Sequence, residues 1–183
     1  MEADLRAKAD RLHSKDAEAR YAAFQELLAL AKSPVDWAYD VWDELITMTR
    51  KGDNHQRTIA VQLLCELAKS DPENRMLKDF DLLLAVTRDE KFVTARHSLQ
   101  ALWKIGRAGK KQLKLTLDGY ALRFNECGAE KNCTLIRYDI GAALKKLFDA
   151  VKDDKVKELA LALIETEADL KYRKKYASVW KTK

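Results

Sequence analysis

The sequence is poor in the residues that interrupt helices. Its 183 residues include only six glycines and two prolines, and no run of 18 apolar residues occurs in it. The shortage of turn formers leaves few places for tight turns, and the missing apolar run argues against a membrane-spanning helix. The charged start, MEADLRAKADRLHSKD, lacks the apolar core of a signal peptide, so we expect a cytoplasmic location.

Motifs that mark common enzymes are also missing. The sequence contains no HExxH, GxSxG, P-loop or GxGxxG pattern, so we predict a protein without catalytic activity and without a cofactor. The three cysteines, Cys65, Cys127 and Cys133, are too few for a disulfide framework. Two of them lie in CGAEKNC without a nearby histidine, so no zinc site is predicted, and we interpret the thiols as reduced and partly buried.

Apolar residues recur instead at steps of three and four, which predicts amphipathic helices along the whole chain. The pattern breaks where turn formers combine with helix N-cap residues, at 32–34, 51–54, 70–74, 88–91, 106–110, 127–132 and 152–155. These breaks, together with a separate first helix at residues 2–13 and a helix in the C-terminal segment, indicate about ten helices joined by short loops. The chain is therefore predicted to be all-α.

Alternate helices share a pattern that begins at an arginine. From Arg20, Arg57, Ala95 and Arg137, the residues at +3, +7 and +10 are mostly small or apolar and lie on one helix face. They are Ala23, Leu27 and Leu30; Ala60, Leu64 and Leu67; Ser98, Leu102 and Ile105; and Ile140, Leu144 and Leu147. Asp16 and Asp53 precede their arginines by four residues, where helices are expected to begin.

This recurrence resembles the second helix of HEAT-type repeats, and its spacing of 37, 38 and 42 residues is close to that of such units. The resemblance implies a right-handed α-solenoid of about five helical pairs in one domain, 1–183. The pairs are approximately 1–33, 34–70, 71–108, 109–150 and 151–183. It also implies that the second helices line a concave side, with Arg20, Arg57 and Arg137 hydrogen-bonded between neighbouring pairs. An irregular helical bundle is the alternative.

The outward side of the third pair's second helix carries the strongest candidate site. It holds Arg96, Gln100, Trp103, Lys104 and Arg107, and the surrounding segment 91–117 has seven basic residues and no acidic one. An exposed tryptophan among cations indicates a contact surface. The alternative is that Trp103 packs against a neighbouring helix.

Residues around this strip extend the predicted binding site: Lys110, Lys111, Gln62 and Glu66. Glutamine recurs at +5 as Gln25, Gln62 and Gln100, and a cation recurs at +12 as Lys32, Lys69 and Arg107. The recurring cations either complement helix C-termini or form a basic stripe for an acidic segment or phosphates.

Two aromatic segments favour packing over binding. In DWAYDVWDEL, residues 36–45, Trp37 shares an apolar stripe with Val41 and Leu45, while Trp42 is placed outward. The C-terminal segment 170–183 has six basic residues and no acidic one. We predict that Tyr172, Tyr176, Val179 and Trp180 dock it as a final helix, and the alternative is a basic arm for phosphates.

The sequence therefore favours a non-enzymatic scaffold that holds a protein partner, with an acidic partner as one option. The alternative is a nucleic-acid-binding protein, similar in architecture to HEAT-like DNA alkylpurine glycosylases, with the basic strip on the backbone. The acidic excess of residues 1–90, with 13 basic and 18 acidic side chains, argues against nucleic acid. No oligomeric state is predicted.

Overall fold

The computed structural model describes residues 2–181, which contain ten α-helices and no β-strand. The helices are α1 (Ala3–Asp10), α2 (Ala17–Leu30), α3 (Ala38–Lys51), α4 (Asn54–Leu67), α5 (Met76–Val86), α6 (Phe92–Ala101), α7 (Lys110–Glu126), α8 (Cys133–Val151), α9 (Asp154–Glu165) and α10 (Leu170–Ser178). Within this described part, no helix is long and apolar enough to span a bilayer. The all-α prediction is confirmed, and each predicted break coincides with a helix boundary.

Aspartate side chains start four of the helices. Asp16 and Asp53 accept backbone N–H groups at the starts of α2 and α4, which confirms both predicted helix starts. Asp53 forms a full capping box, because the side chain of Gln56 in turn accepts the Asp53 N–H at 3.0 Å. Asp153 and Asp169 cap α9 and α10 in the same manner. Local side-chain chemistry thus positions the helices.

The chain divides into two compact units, Met1–Ser98 and Leu99–Lys183, and the division falls inside α6. In the N-terminal unit, α2 packs on α4 and α3 packs on α5. In the C-terminal unit, α8 packs on α10 and α7 packs on α9. Within each unit, the first helices of neighbouring helical pairs therefore pack on each other, and so do the second helices, as in helical repeat proteins. The five repeat boundaries and the single domain stay predictions.

The predicted apolar seam forms the core with one exception. Eleven of its twelve residues are buried, whereas Leu30 is 48% exposed. The prediction for Leu30 is wrong because it is the last residue of α2 and faces a cleft beside Leu5 and Trp37 rather than a covering helix.

Trp42 is a second correction, because it is fully buried rather than outward. The helix α3 contacts both α4 and α5, so its buried face is wider than a single stripe. The indole Nε1 donates to Asp79 at 2.8 Å, which satisfies the polar atom that burial would otherwise leave without a partner. Trp37, by contrast, is only half-buried.

The last helix docks through its aromatic side chains, as predicted. Tyr176 is fully buried, donates to the Thr134 carbonyl at 3.0 Å and meets Phe124 edge-on. Burial and the nearby negative charge of Glu167 raise the pKa of Tyr176 to about 12. Trp180 packs on Phe148, while residues 182 and 183 of the predicted basic arm lie outside the described residues.

The cysteine prediction is wrong for two of the three residues. Cys127 and Cys133 form a disulfide, with their Cα atoms 5.2 Å apart. The turn between α7 and α8 brings the two residues within the range that a disulfide requires, and a count of cysteines cannot reveal this proximity. Cys65 is fully buried in α4.

Candidate functional site

A groove of about 780 Å³ crosses the second helices of the N-terminal unit. Its walls come from the first two to three turns of α2, α4 and α6 and from Lys91 just before α6, and the stacking of the three helical pairs places these segments side by side. The lining residues are Ala17, Arg20, Tyr21, Phe24, Gln25, Asn54, His55, Thr58, Ile59, Gln62, Lys91, Phe92, Val93, Thr94 and His97.

Apolar side chains form two walls and part of the floor of this groove. Tyr21 on α2 is 62% exposed, and Val93 on α6 is 67% exposed. Between them lie the buried side chains of Phe24 and Ile59, and the rings of Tyr21 and Phe24 are 6.2 Å apart. Large apolar side chains exposed around an open groove indicate a contact surface.

A hydrogen-bonded polar cluster fixes the middle of the groove. The hydroxyl groups of Thr58 and Thr94 are 3.0 Å apart, and both donate to the carbonyl of Asn54, at 2.8 and 3.1 Å. Gln62 donates its Nε2 to the Thr58 carbonyl at 3.2 Å. These bonds join α4 to α6 and hold the groove floor in one geometry.

The charged side chains that line the groove are of one sign. Its lining includes Arg20, Lys91, His55 and His97, and among the described residues that line it there is no aspartate or glutamate. One nitrogen of Arg20 donates to the Ser14 carbonyl at 2.8 Å. The guanidinium has five N–H groups, so it retains donors for a ligand.

Two of the three arginines of the repeated pattern, Arg57 and Arg137, hold neighbouring helical pairs together. Arg57 on α4 donates to Asp89 at 2.6 and 3.1 Å and to the Gly52 carbonyl at 2.8 Å. Burial raises the pKa of Asp89, but the hydrogen bonds from Arg57 and from the backbone N–H of Lys91, together with the positive charge of Arg57, outweigh burial, so the pKa lies below its usual range. The hydrogen bond to Asp89 raises the pKa of Arg57.

The same bridge recurs in the C-terminal unit, where Arg137 donates to Glu167 at 2.9 Å. The structural role is therefore confirmed for Arg57 and Arg137, whereas Arg20 bonds only the loop of its own pair, at Ser14. The sequence pattern missed Arg173, which donates to the Glu167 carbonyl at 2.6 and 2.8 Å. Asp169 four residues earlier repeats the Asp16–Arg20 spacing and was the available signal.

The predicted basic strip is largely half-buried. Arg96, in the N-terminal unit, and Gln100, Trp103 and Lys104, in the C-terminal unit, are all half-buried, and only Arg107 is exposed. Arg96 and Lys104 each have an interaction partner within the protein. The Arg107 guanidinium lies 5.3 Å from the centre of the Trp103 ring, a cation–π geometry.

The backbone explains why this strip differs from a simple helical face. The α-helix α6 ends at Ala101, and Leu102–Arg107 continue as a 3₁₀ segment. Side chains of a 3₁₀ helix advance by about 120° per residue instead of 100°. The outward positions calculated for a continuous α-helix therefore no longer apply beyond Ala101.

The two other predicted residues on α4 have different surroundings. Gln62 lines the groove together with Gln25, whereas Glu66 is only 6% exposed and forms an ion pair with Lys69. Lys69 also donates to the carbonyls of Ala31 and Lys32, both at 2.8 Å. Lys69 thus complements the C-terminus of the neighbouring helix α2, whereas the prediction from the recurring cations concerned the end of each cation's own helix.

Replacing Lys69 by methionine is expected to lower the free energy of unfolding by about 1–2 kcal/mol, because two carbonyls and the buried Glu66 lose a cationic partner. Lys32→Met is the matched control, since Lys32 likewise lies two residues beyond the end of its helix but is exposed and should change stability by less than about 0.5 kcal/mol. Urea unfolding followed by circular dichroism measures both. Equal effects would contradict the structural role of Lys69.

Lys110 and Lys111 are exposed at the start of α7. Lys110 lines a separate cleft of about 660 Å³ in the C-terminal unit, where Asp118 and Asp153 balance Lys114 and Lys155. Across residues 2–181, no group of three or more histidine, cysteine, aspartate or glutamate side chains is arranged to hold a metal ion.

No protein-family profile matches the sequence, and no curated protein matches it significantly. Solved structures, however, match nearly the whole chain. An engineered protein aligns with 97% of this chain and 78% of its own, with a TM-score of 0.55 and 16% identity. A designed armadillo repeat protein in complex with the peptide (KR)4 aligns with 97% of this chain and 88% of its own, with a TM-score of 0.51 and 13% identity. Similarity at such identities establishes the fold alone, and the chain has the all-α fold of armadillo- and HEAT-like repeat proteins.

Proposed function

We propose that this protein is a non-enzymatic binding scaffold whose groove across α2, α4 and α6 holds an extended segment of a protein partner. The observation that carries the proposal is the pair of exposed apolar walls, Tyr21 and Val93, on either side of a groove whose floor includes buried Phe24 and Ile59. Aromatic and aliphatic side chains around a groove are typical anchors for a partner.

The size of the groove suits a peptide. Packed helices lie about 8–10 Å apart, so three neighbouring helices span roughly 16–20 Å, the length of about six extended residues. Side-chain amides of Gln25 and Gln62 line this path and can bond the backbone of such a segment. The amides therefore favour an extended peptide over a small molecule.

The chemistry of the groove supports binding rather than catalysis. Its lining, as far as the structure describes it, contains no serine, cysteine or carboxylate, and its two threonine hydroxyls are engaged with the Asn54 carbonyl. The lining therefore lacks three of the side-chain types that commonly serve as catalytic nucleophiles or bases.

The experiment is a selection of peptides of about 12 residues, twice the span of the groove, from a random phage-displayed library. The affinities of the selected peptides are then measured by fluorescence anisotropy. We expect Tyr21→Ala/Val93→Ala to weaken binding at least about tenfold, because two exposed anchors are lost. Both positions are exposed, so stability should stay within about 0.5 kcal/mol of the parent.

The matched control is Leu122→Ala/Leu170→Ala, which removes side chains that are 52% and 65% exposed but do not line the groove. This control should bind like the parent protein. Failure to select any peptide, or equal weakening by both double variants, would contradict the proposal. Tighter binding of DNA or RNA oligonucleotides than of any selected peptide would favour the nucleic-acid alternative.

A further inference from the structure

We infer that the segment held in the groove of α2, α4 and α6 is acidic, with carboxylates beside at least one large apolar side chain. This inference rests on the proposed function and adds the chemical class of the partner. It follows from the charges around the groove, from their contrast with the rest of the N-terminal unit, and from the apolar walls between which a partner would lie.

The cations lie on two sides of the groove, Arg20 on α2 and Lys91 immediately before α6. The imidazole rings of His55 on α4 and His97 on α6 also line it and can donate hydrogen bonds to a carboxylate. Lys91 is 61% exposed, and its ammonium lies 3.9 Å from the carboxylate of Glu90, which is itself 80% exposed. An exposed pair at that distance is weak, so Lys91 can exchange Glu90 for a carboxylate of the partner.

The carboxylates near this end of the helices are already engaged. Asp16 and Asp53 accept N–H groups of their own helices, and Asp89 is bound by Arg57. None of these three lines the groove.

The groove is lined by basic side chains although the N-terminal unit as a whole has more acidic than basic side chains. Residues 1–98 contain 15 basic and 18 acidic side chains. The other cleft of the same unit has the opposite character, with Glu2, Asp4, Asp36 and Asp40 beside Leu30 and Trp37. A cationic segment would be drawn to that cleft and repelled by the groove, whereas an acidic one would be steered to the groove.

The apolar walls of the groove require the partner segment to carry a large apolar side chain in addition to its carboxylates. A purely acidic segment would leave Tyr21 and Val93 in water, so the favourable partner places an aliphatic or aromatic side chain between them. Its neighbouring carboxylates would then lie near Arg20, His55 and Lys91. The peptide (KR)4, which the designed armadillo protein binds, has the wrong charge for this groove.

The test uses three fluorescent peptide pools with the same random apolar positions, alternating with glutamate, glutamine or lysine. At about 50 mM salt the glutamate pool should bind about tenfold more tightly than the glutamine pool, and the lysine pool more weakly than both. Several weak exposed charge contacts together amount to roughly one decade of affinity. Raising the salt to about 0.5 M should remove most of the glutamate advantage.

Lys91→Glu should abolish that advantage and leave the affinity for the glutamine pool unchanged. Lys111→Glu, which reverses an exposed lysine at the start of α7, is the matched control and should retain the advantage. Equal affinity for the three pools, or preference for lysine, would overturn the inference while leaving peptide binding intact. If none of the three pools binds, the proposed function itself is contradicted. If a DNA oligonucleotide binds more tightly than the glutamate pool and displaces it, the cations of the groove bind phosphate groups rather than an acidic peptide.

Discussion

Replacing Trp42 by alanine is expected to lower the free energy of unfolding by about 3–5 kcal/mol, the range for deleting a buried aromatic side chain. Trp42 is 0% exposed, and its Nε1 donates to Asp79 at 2.8 Å. Its ring meets Tyr39 edge-on at 5.8 Å, and the Arg75 guanidinium lies 5.7 Å from the ring centre. Alanine would lose all of these contacts and leave a cavity where α3 packs on α4 and α5.

Trp37→Ala is the matched control for this substitution. Trp37 lies just before the same helix but is half-buried, so its removal should cost only about 1 kcal/mol. Trp42→Phe should fall between the two, because phenylalanine retains most of the apolar contact and loses the bond to Asp79. Urea unfolding measures all three. A cost for Trp42→Ala no greater than that for Trp37→Ala would place Trp42 at the surface and refute its burial.

Replacing Arg57 by alanine is expected to cost about 2–4 kcal/mol, because the carboxylate of Asp89 would lose its charged partner. The Asp89 side chain is only 6% exposed, so water cannot fully replace the two hydrogen bonds from Arg57. The carbonyl of Gly52 would lose a donor as well. Arg50→Ala, at an exposed position on α3, is the control and should change stability by less than about 0.5 kcal/mol. Equal costs would contradict the bridging role.

The pH dependence of the stability of the Asp89→Asn variant tests the ion pair between Arg57 and Asp89 through its acidic partner. The pKa of Asp89 is lower in the folded protein than its usual range, so its carboxylate contributes stability above the unfolded pKa of about 4. That contribution is lost as the pH falls through the lower, folded pKa. The stability difference between the parent and Asp89→Asn should therefore be present at neutral pH and shrink below about pH 4. An unchanged difference under strongly acidic conditions would contradict this ionisation.

Most of the helical framework could be predicted, because its determinants are local. The caps at Asp16 and Asp53 and the seam residues Leu64 and Leu144 follow from side chains within one or two turns of the same helix. Even the bridging role of Arg57 was foreseeable, since the arginine recurs at constant spacing. The recurring partner, an acidic residue about 30 positions later, was not recognised in the sequence.

Three errors about burial share one cause, which is the presence or absence of a covering helix from elsewhere in the sequence. Trp42 and Glu66 were placed outward on helical wheels, yet both are buried because α3 and α4 are contacted on more than one side. Leu30 was placed in the core, yet no helix covers the end of α2 there and the side chain faces a cleft. A wheel drawn for one helix contains no information about such neighbours.

The candidate groove, too, was predicted only in part from the sequence. Tyr21 and Gln62 were correctly placed on the outward side of their helices, but His55, Lys91 and Val93 were missed, because they precede the recurring positions. The signal for Val93 was an apolar residue in the first turn of a helix after the polar run RDEK. Its significance depends on Tyr21, 72 positions earlier, which forms the opposite wall.

Within residues 2–181, helical periodicity and capping aspartates establish the ten α-helices and the order of their apolar faces, because these properties depend on residues a few positions apart. Stacking establishes which side chains remain accessible, because exposure depends on helices 30 or more residues away. The pairing of Arg57 with Asp89, the burial of Trp42 and the meeting of Tyr21 with Val93 across one cationic groove all arise at that level.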